Sequence, residues 1–67
     1  MKRPENEHKS EAEQILESND LTIVAVVRGI DTIDRVEKFV AYENQHKKRT
    51  WVFERLEERA KEIRNES

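Results

Sequence analysis

The sequence predicts an all-α fold, a small bundle of three to four short helices. Three observations favour this class. The 67 residues are 42% charged and 34% hydrophobic, which is near the lower limit for one small domain with a core of its own. One glycine and one proline are too few for the frequent turns of an all-β domain. No cysteine is present, so neither disulfides nor thiolate metal sites can stabilise the fold.

The polar start of the chain is expected to be disordered. Residues 1–10 contain Met1 as their only hydrophobic side chain and offer nothing to bury. Residues 11–67 are predicted to form a single helical domain. Its first helix, at about 11–18, begins after Ser10, which with Glu13 in the first turn has the spacing of a capping box. The apolar side of this helix consists of Ala12, Ile15 and Leu16.

Residues 21–27, with the sequence LTIVAVV, fit either a strand or a helix. The β-branched side chains favour a strand, and the length suits both states. No second β-rich run is present to pair with a strand inside the chain, so we favour a helix at about 20–28, with an intersubunit strand as the alternative. Asn19 and Asp20 offer a stop and an N-cap, and Gly29 suits the left-handed position that ends a helix.

Two further helices complete the predicted bundle. Asp31 is expected to cap a third helix at about 32–44, whose apolar stripe comprises Ile33, Val36, Phe39 and Val40. A fourth helix at about 50–64 has the strongest pattern in the chain. One face of it carries Val52, Leu56, Ala60 and Ile63, flanked by Trp51 and Phe53.

The apolar segment 21–27 also predicts a contact surface. Thr22 is its only polar side chain, and a helix that is apolar on all sides has to be covered on all sides. Three short helices cannot easily surround a fourth, so we expect a homodimer, or binding of another protein. The expected contact residues are Leu21, Ile23, Val24 and Val27. The alternative is that the segment is the central helix of a monomer.

A second pattern joins polar and apolar positions at fixed spacing. The pattern Y-E-x-x-H-x-x-R-x-x-V-x-x-x-L-x-x-R runs through Tyr42, Glu43, His46, Arg49, Val52, Leu56 and Arg59. Over about residues 20–60 the chain resembles a small uncharacterised domain of archaeal and actinobacterial proteins. The resemblance implies an all-α fold and no particular activity. Such domains often have proline after the arginine, where this chain has Thr50, which marks the start of the last helix less sharply.

The polar residues of this pattern favour a structural role at the turn between the last two helices. Glu43 can accept hydrogen bonds from Arg49 or from N–H groups at the start of the final helix. Tyr42 can pack its ring on the core and keep its hydroxyl in water, and His46 can cap either helix end. We interpret these four residues as a turn clamp that sets the angle between the two helices.

Metal binding is an alternative for Glu43 and His46. The Glu-x-x-His spacing places a carboxylate and an imidazole on one helical face, as in di-iron carboxylate bundles. Those sites need two such pairs and two more inward carboxylates, whereas this chain has one pair beside Gln45, Lys47 and Lys48. We therefore expect no metal and no cofactor.

Nucleic-acid binding is the alternative function. Basic residues beside an aromatic ring can contact phosphates and stack on a base, and the turn between two helices resembles helix-turn-helix geometry. The candidate contacts are Lys47, Lys48, Arg49, Trp51 and Arg55. Glutamates interleave with the basic residues of the final helix, however, as is typical of a solvent-exposed face.

We expect neither catalysis nor a membrane protein. No nucleophile and base lie at a recognisable spacing, and so short a chain cannot enclose a deep catalytic cavity. No apolar run approaches the roughly 18 residues of a membrane span, and the first four residues lack the apolar region of a signal peptide. These features predict a cytoplasmic protein.

Overall fold

The computed structural model describes residues 10–66, which form four α-helices and no strand. The helices are α1 (Glu11–Leu16), α2 (Asp20–Arg28), α3 (Ile33–Gln45) and α4 (Thr50–Glu66). The predicted all-α bundle is confirmed, and the ambiguous segment within α2 is helical. Apart from Ser10, the segment predicted to be disordered lies outside the described residues.

Side-chain caps begin the first three helices. Ser10, Asn19 and Thr32 accept backbone N–H bonds at 3.1, 2.8 and 3.2 Å, respectively. The prediction that Asp31 caps α3 is wrong. Thr32 has the extended backbone of a cap (φ −135°, ψ 147°), whereas the Asp31 carboxylate accepts a hydrogen bond from Arg35 Nη1 at 3.3 Å.

The end of α2 differs from the prediction. Gly29 has φ −97° and ψ −1°, so it does not adopt the left-handed backbone expected of it. The N–H groups of Gly29 and Ile30 instead donate to the carbonyls of Val26 and Val27, at 2.9 and 3.2 Å. These three-residue spacings tighten the last turn and satisfy the terminal carbonyls without a left-handed residue. Among the described residues, the one with positive φ is Lys48, at 53°, in the turn after α3.

The four helices are arranged in two layers. Helices α3 and α4 form a hairpin, α1 packs on α3, α2 packs on α4, and α1 also contacts α2. The core between the layers consists of Ala12, Leu16, Ile23, Val27, Ile30, Val36, Phe39, Val52, Leu56 and Ala60. In residues 10–66, no helix combines the length and the apolar character needed to cross a membrane.

The buried face of α2 corrects the predicted contact surface. Ile23 and Val27 are 0% and 2% exposed, so neither side chain is available to a partner. They point inward because α1 and α4 cover that side of the helix. Leu21 lies on the opposite side and is 82% exposed, and Val24 is half-buried. Only these two members of the predicted contact set remain at the surface.

Candidate functional site

A buried carboxylate lies at the centre of the turn between α3 and α4. Glu43 continues the inward stripe of α3 that includes Val36 and Phe39, and its side chain is fully buried. Arg49 satisfies it from three donors: the backbone N–H and Nε each donate to Oε2 at 2.8 Å, and Nη2 donates to Oε1 at 2.9 Å. A charge in this position is retained because both carboxylate oxygens accept charge-assisted hydrogen bonds.

Arg49 also joins this turn to the other layer of the bundle. Its Nη2 donates to the carbonyl oxygen of Leu16 at 2.9 Å. Leu16 is the last residue of α1, and the carbonyls of a final helical turn have no partner within the helix. The guanidinium carbon lies 5.8 Å from the ring centroid of Trp51, within the range of a cation–π contact. One arginine thus holds together the ends of α1 and α3 and the start of α4.

The electrostatics of the pair keep both groups charged. The hydrogen bond from the Arg49 side chain holds the pKa of Glu43 below its ordinary value, although burial alone acts in the opposite direction. The same hydrogen bond raises the pKa of Arg49, again against the effect of burial. The folded state therefore favours the ionised carboxylate, and this ion pair contributes to stability wherever the carboxylate is ionised.

Tyr42 and His46 complete the cluster on the exposed side. Their rings stack with centroids 3.8 Å apart, and His46 Nδ1 lies 2.8 Å from the Tyr42 carbonyl oxygen, at the end of α3. The Tyr42 hydroxyl donates to the Glu17 carboxylate at 2.7 Å. This hydrogen bond, followed by burial, raises the pKa of Tyr42 to about 12. The structure thus brings all four residues of the turn clamp together at the turn.

The contacts of the clamp use both carboxylate oxygens of Glu43 and one ring nitrogen of His46. Both oxygens of Glu43 accept hydrogen bonds from Arg49, and His46 Nδ1 is directed at a backbone carbonyl. Within residues 10–66, no three potential metal-ligating side chains cluster. The Glu-x-x-His spacing is therefore used for hydrogen bonding within the protein.

The residues considered for nucleic-acid contact lie in different environments. Lys47 and Lys48 are exposed in the turn, whereas the Arg49 guanidinium is directed into the clamp. A shallow depression on α4 is lined by Trp51, Glu54, Arg55 and Glu58, so two carboxylates surround the arginine there. Arg49 is therefore held in an internal ion pair, and Arg55 lies on a surface that carries both positive and negative charge.

Arg59 has a structural role that the sequence did not reveal. Its Nε donates to the carbonyl oxygen of Ile30 at 2.6 Å, and its Nη1 donates to Glu62 at 2.9 Å. Ile30 is itself fully buried between α2 and α3 and was not predicted as a core residue. The two residues are 29 positions apart, so neither helical periodicity nor capping could indicate this contact.

A second surface, the outer groove, lies between α3 and α4, and the buried core residues Val36, Leu56 and Ala60 form its floor. It has a volume of about 450 Å³. Its lining comes from α3 and α4 alone and is mainly apolar: Ile33, Val36, Val40, Ala41, Phe53, Leu56 and Ala60, with Glu37, Glu57 and Arg64 as its charged residues. Phe53 flanks the predicted stripe of α4, and this position off the core stripe is the one feature of the sequence that indicates the surface.

Comparison with known proteins identifies a family. The model of the domain of unknown function DUF8129 matches residues 12–66 of the chain. No curated protein and no solved structure matches it. The resemblance to a small uncharacterised domain is confirmed in this form, whereas the archaeal and actinobacterial range and the polar motif stay predictions.

Proposed function

The chain belongs to the DUF8129 family, and we propose that it is a non-enzymatic, cytoplasmic protein-interaction domain that forms a homodimer. The outer groove is the observation that supports this proposal. The two longest helices leave Ile33, Val40 and Phe53 only half-buried along one continuous apolar surface. Apolar side chains that line a groove and are rimmed by charged residues mark a candidate interaction site.

Burying the outer groove against a partner would add apolar burial to the small core that so short a chain can form. Apolar surface removed from water contributes about 25 cal/mol per Å², and an aromatic side chain such as Phe53 offers one of the largest areas. A stable interface covers about 800 Å² on each partner, a modest share of the 4807 Å² of accessible surface. The α4 residues of the groove run from Phe53 to Arg64, roughly 17 Å along the helix axis, so a contact of that size would extend beyond the groove onto its rims.

The outer groove replaces the surface that the sequence predicted on α2. Ile23 and Val27 are in the core, which leaves Leu21 and Val24 as an apolar pair on an otherwise ordinary helix face. A single exposed leucine is normal on a soluble protein. Self-association therefore remains the proposal, and we place the contact surface at the outer groove of α3 and α4 instead of on α2.

Sedimentation equilibrium over a wide range of protein concentrations tests this function. We expect a reversible dimer in the wild type, weakened by Phe53→Glu in the outer groove and unchanged by Leu21→Glu on α2. Circular dichroism of each variant shows whether the helices are retained. A strict monomer at the highest concentration contradicts the proposal, and loss of the dimer in the Leu21 variant alone returns the contact surface to α2.

Nucleic-acid binding remains the alternative function, and Lys47 and Lys48 are the exposed charges that favour it. It predicts salt-dependent binding to single-stranded or duplex nucleic acid that disappears when both lysines are replaced by alanine. A titration at low salt that shows no binding rules it out.

A further inference from the structure

We infer that the homodimer is antiparallel across the outer groove, with Arg64 of each copy beside Glu57 of the other. This inference rests on the proposed self-association. It is carried by the charges of the groove, which include both signs on one surface. A surface that carries both signs of charge can be complementary to itself. We therefore take a second copy of the same chain as the occupant, since a two-fold axis pairs the same surface of both copies.

The groove charges are free to pair with a partner. In the described part of the chain, residues 10–66, ion pairs join Arg35 to Glu11 and Asp31, Lys38 to Asp34, Arg49 to Glu43, and Arg59 to Glu62. Within the same residues, neither Glu37 nor Glu57 nor Arg64 forms an ion pair. All three are exposed beside the apolar lining of the groove.

The spacing of these charges along α4 determines the orientation. Glu57 and Arg64 are seven residues apart, which is two helical turns or about 10 Å along the axis. Ala60 lies between them and also lines the groove. Ala60 is a core residue that is 7% exposed, so it marks the position along α4, midway between the two charges, at which the two helices are expected to cross.

A two-fold axis through this crossing reverses the direction of the second groove. Arg64 of one copy then lies over Glu57 of the other, and symmetry generates the same pair twice. Glu37 lines the α3 side of the groove and adds to the negative potential near Arg64 of the other copy. A parallel arrangement would instead place like charges together, which is unfavourable at an interface.

Charge reversal tests the inference. Arg64→Glu and Glu57→Arg are each expected to raise the dimer dissociation constant about tenfold, because each change creates two like-charge contacts per dimer. The double variant is expected to return to within about threefold of the wild type, since the charges are exchanged and the pair is restored. Sedimentation equilibrium at low and high salt measures these constants, and the effects should shrink at high salt.

Arg55→Glu and Glu54→Arg are matched controls on the same helix. They make the same changes in net charge outside the groove, and we expect them to leave the dissociation constant unchanged. A dimer that resists both groove reversals, or a double variant that stays weakened, overturns the antiparallel pairing and leaves self-association standing. An equal effect of the control variants also overturns it. A monomeric wild type overturns the proposed function itself.

Discussion

Replacing Glu43 with glutamine is expected to destabilise the fold by about 3 kcal/mol at neutral pH. Arg49 directs three donors at the buried carboxylate, at 2.8 to 2.9 Å, and glutamine would present an NH₂ group to part of this set. Breaking a buried ion pair costs about 3–5 kcal/mol. We take the lower end because the Arg49 side chain is 21% exposed and keeps its bond to the Leu16 carbonyl.

Such a loss is large for a domain of this size. Folded proteins are stable by about 0.05–0.15 kcal/mol per residue, which is roughly 3–10 kcal/mol for a chain of this length. Urea unfolding followed by circular dichroism, at one fixed protein concentration, measures the difference. Glu54→Gln, on the exposed side of α4, is the matched control and should change stability by less than about 0.5 kcal/mol.

The pH dependence of this difference tests its cause. The pKa of Glu43 is lowered in the folded state, so its contribution is fully present above the unfolded value of about 4.3 and is lost as pH falls through the folded value. The stabilities of the wild type and of Glu43→Gln should therefore converge in acid. A variant within about 1 kcal/mol of the wild type at neutral pH, or a gap that persists in acid, would refute the reasoning.

Two other substitutions probe single features of the structure. Gly29→Ala should leave stability unchanged or raise it by about 0.4–1 kcal/mol in the same urea assay, because a Cβ there meets the Val26 carbonyl oxygen at an ordinary 3.6 Å and φ is negative. A clear loss of stability would show that this turn needs glycine. The Tyr42 phenol should titrate near pH 12 by ultraviolet absorbance and nearer its ordinary 10 in Glu17→Gln. Because the pKa of Tyr42 is raised on folding, its protonated form stabilises the fold below pH 10, and this effect is lost as pH rises through 12. Equal titration midpoints of Tyr42 in the wild type and in Glu17→Gln would contradict the role of Glu17.

The helices could be predicted because their information is local. The side chain of Ser10 and the stripe formed by Val52, Leu56 and Ala60 indicate where α1 begins and which face of α4 is buried. The third cap was misplaced by one residue because Asp31 and Thr32 are both good caps, and the choice depends on the backbone of the preceding turn. Periodicity alone cannot make that choice.

The polar turn could be predicted in part. Glu43 and Arg49 are six residues apart, close enough for the sequence to place them at the same turn. The hydrogen bond from Arg49 to the Leu16 carbonyl, 33 positions away, depends on where α1 packs and was not predicted. The same limit applies to the hydrogen bond between Arg59 and Ile30.

The sequence by itself determined the all-α class, the approximate helices and the residues of the turn clamp, since caps and helical periodicity act over a few neighbouring residues. Only the tertiary structure decided which apolar side chains are buried in the core. Ile23 and Val27 are buried because α1 and α4 cover them, whereas the outer groove around Phe53 stays open because the two-layer arrangement places no helix there. Burial depends on elements distant in the chain. Segment 21–27 has Thr22 as its only polar side chain, so it carries no polar face to indicate which side points inward.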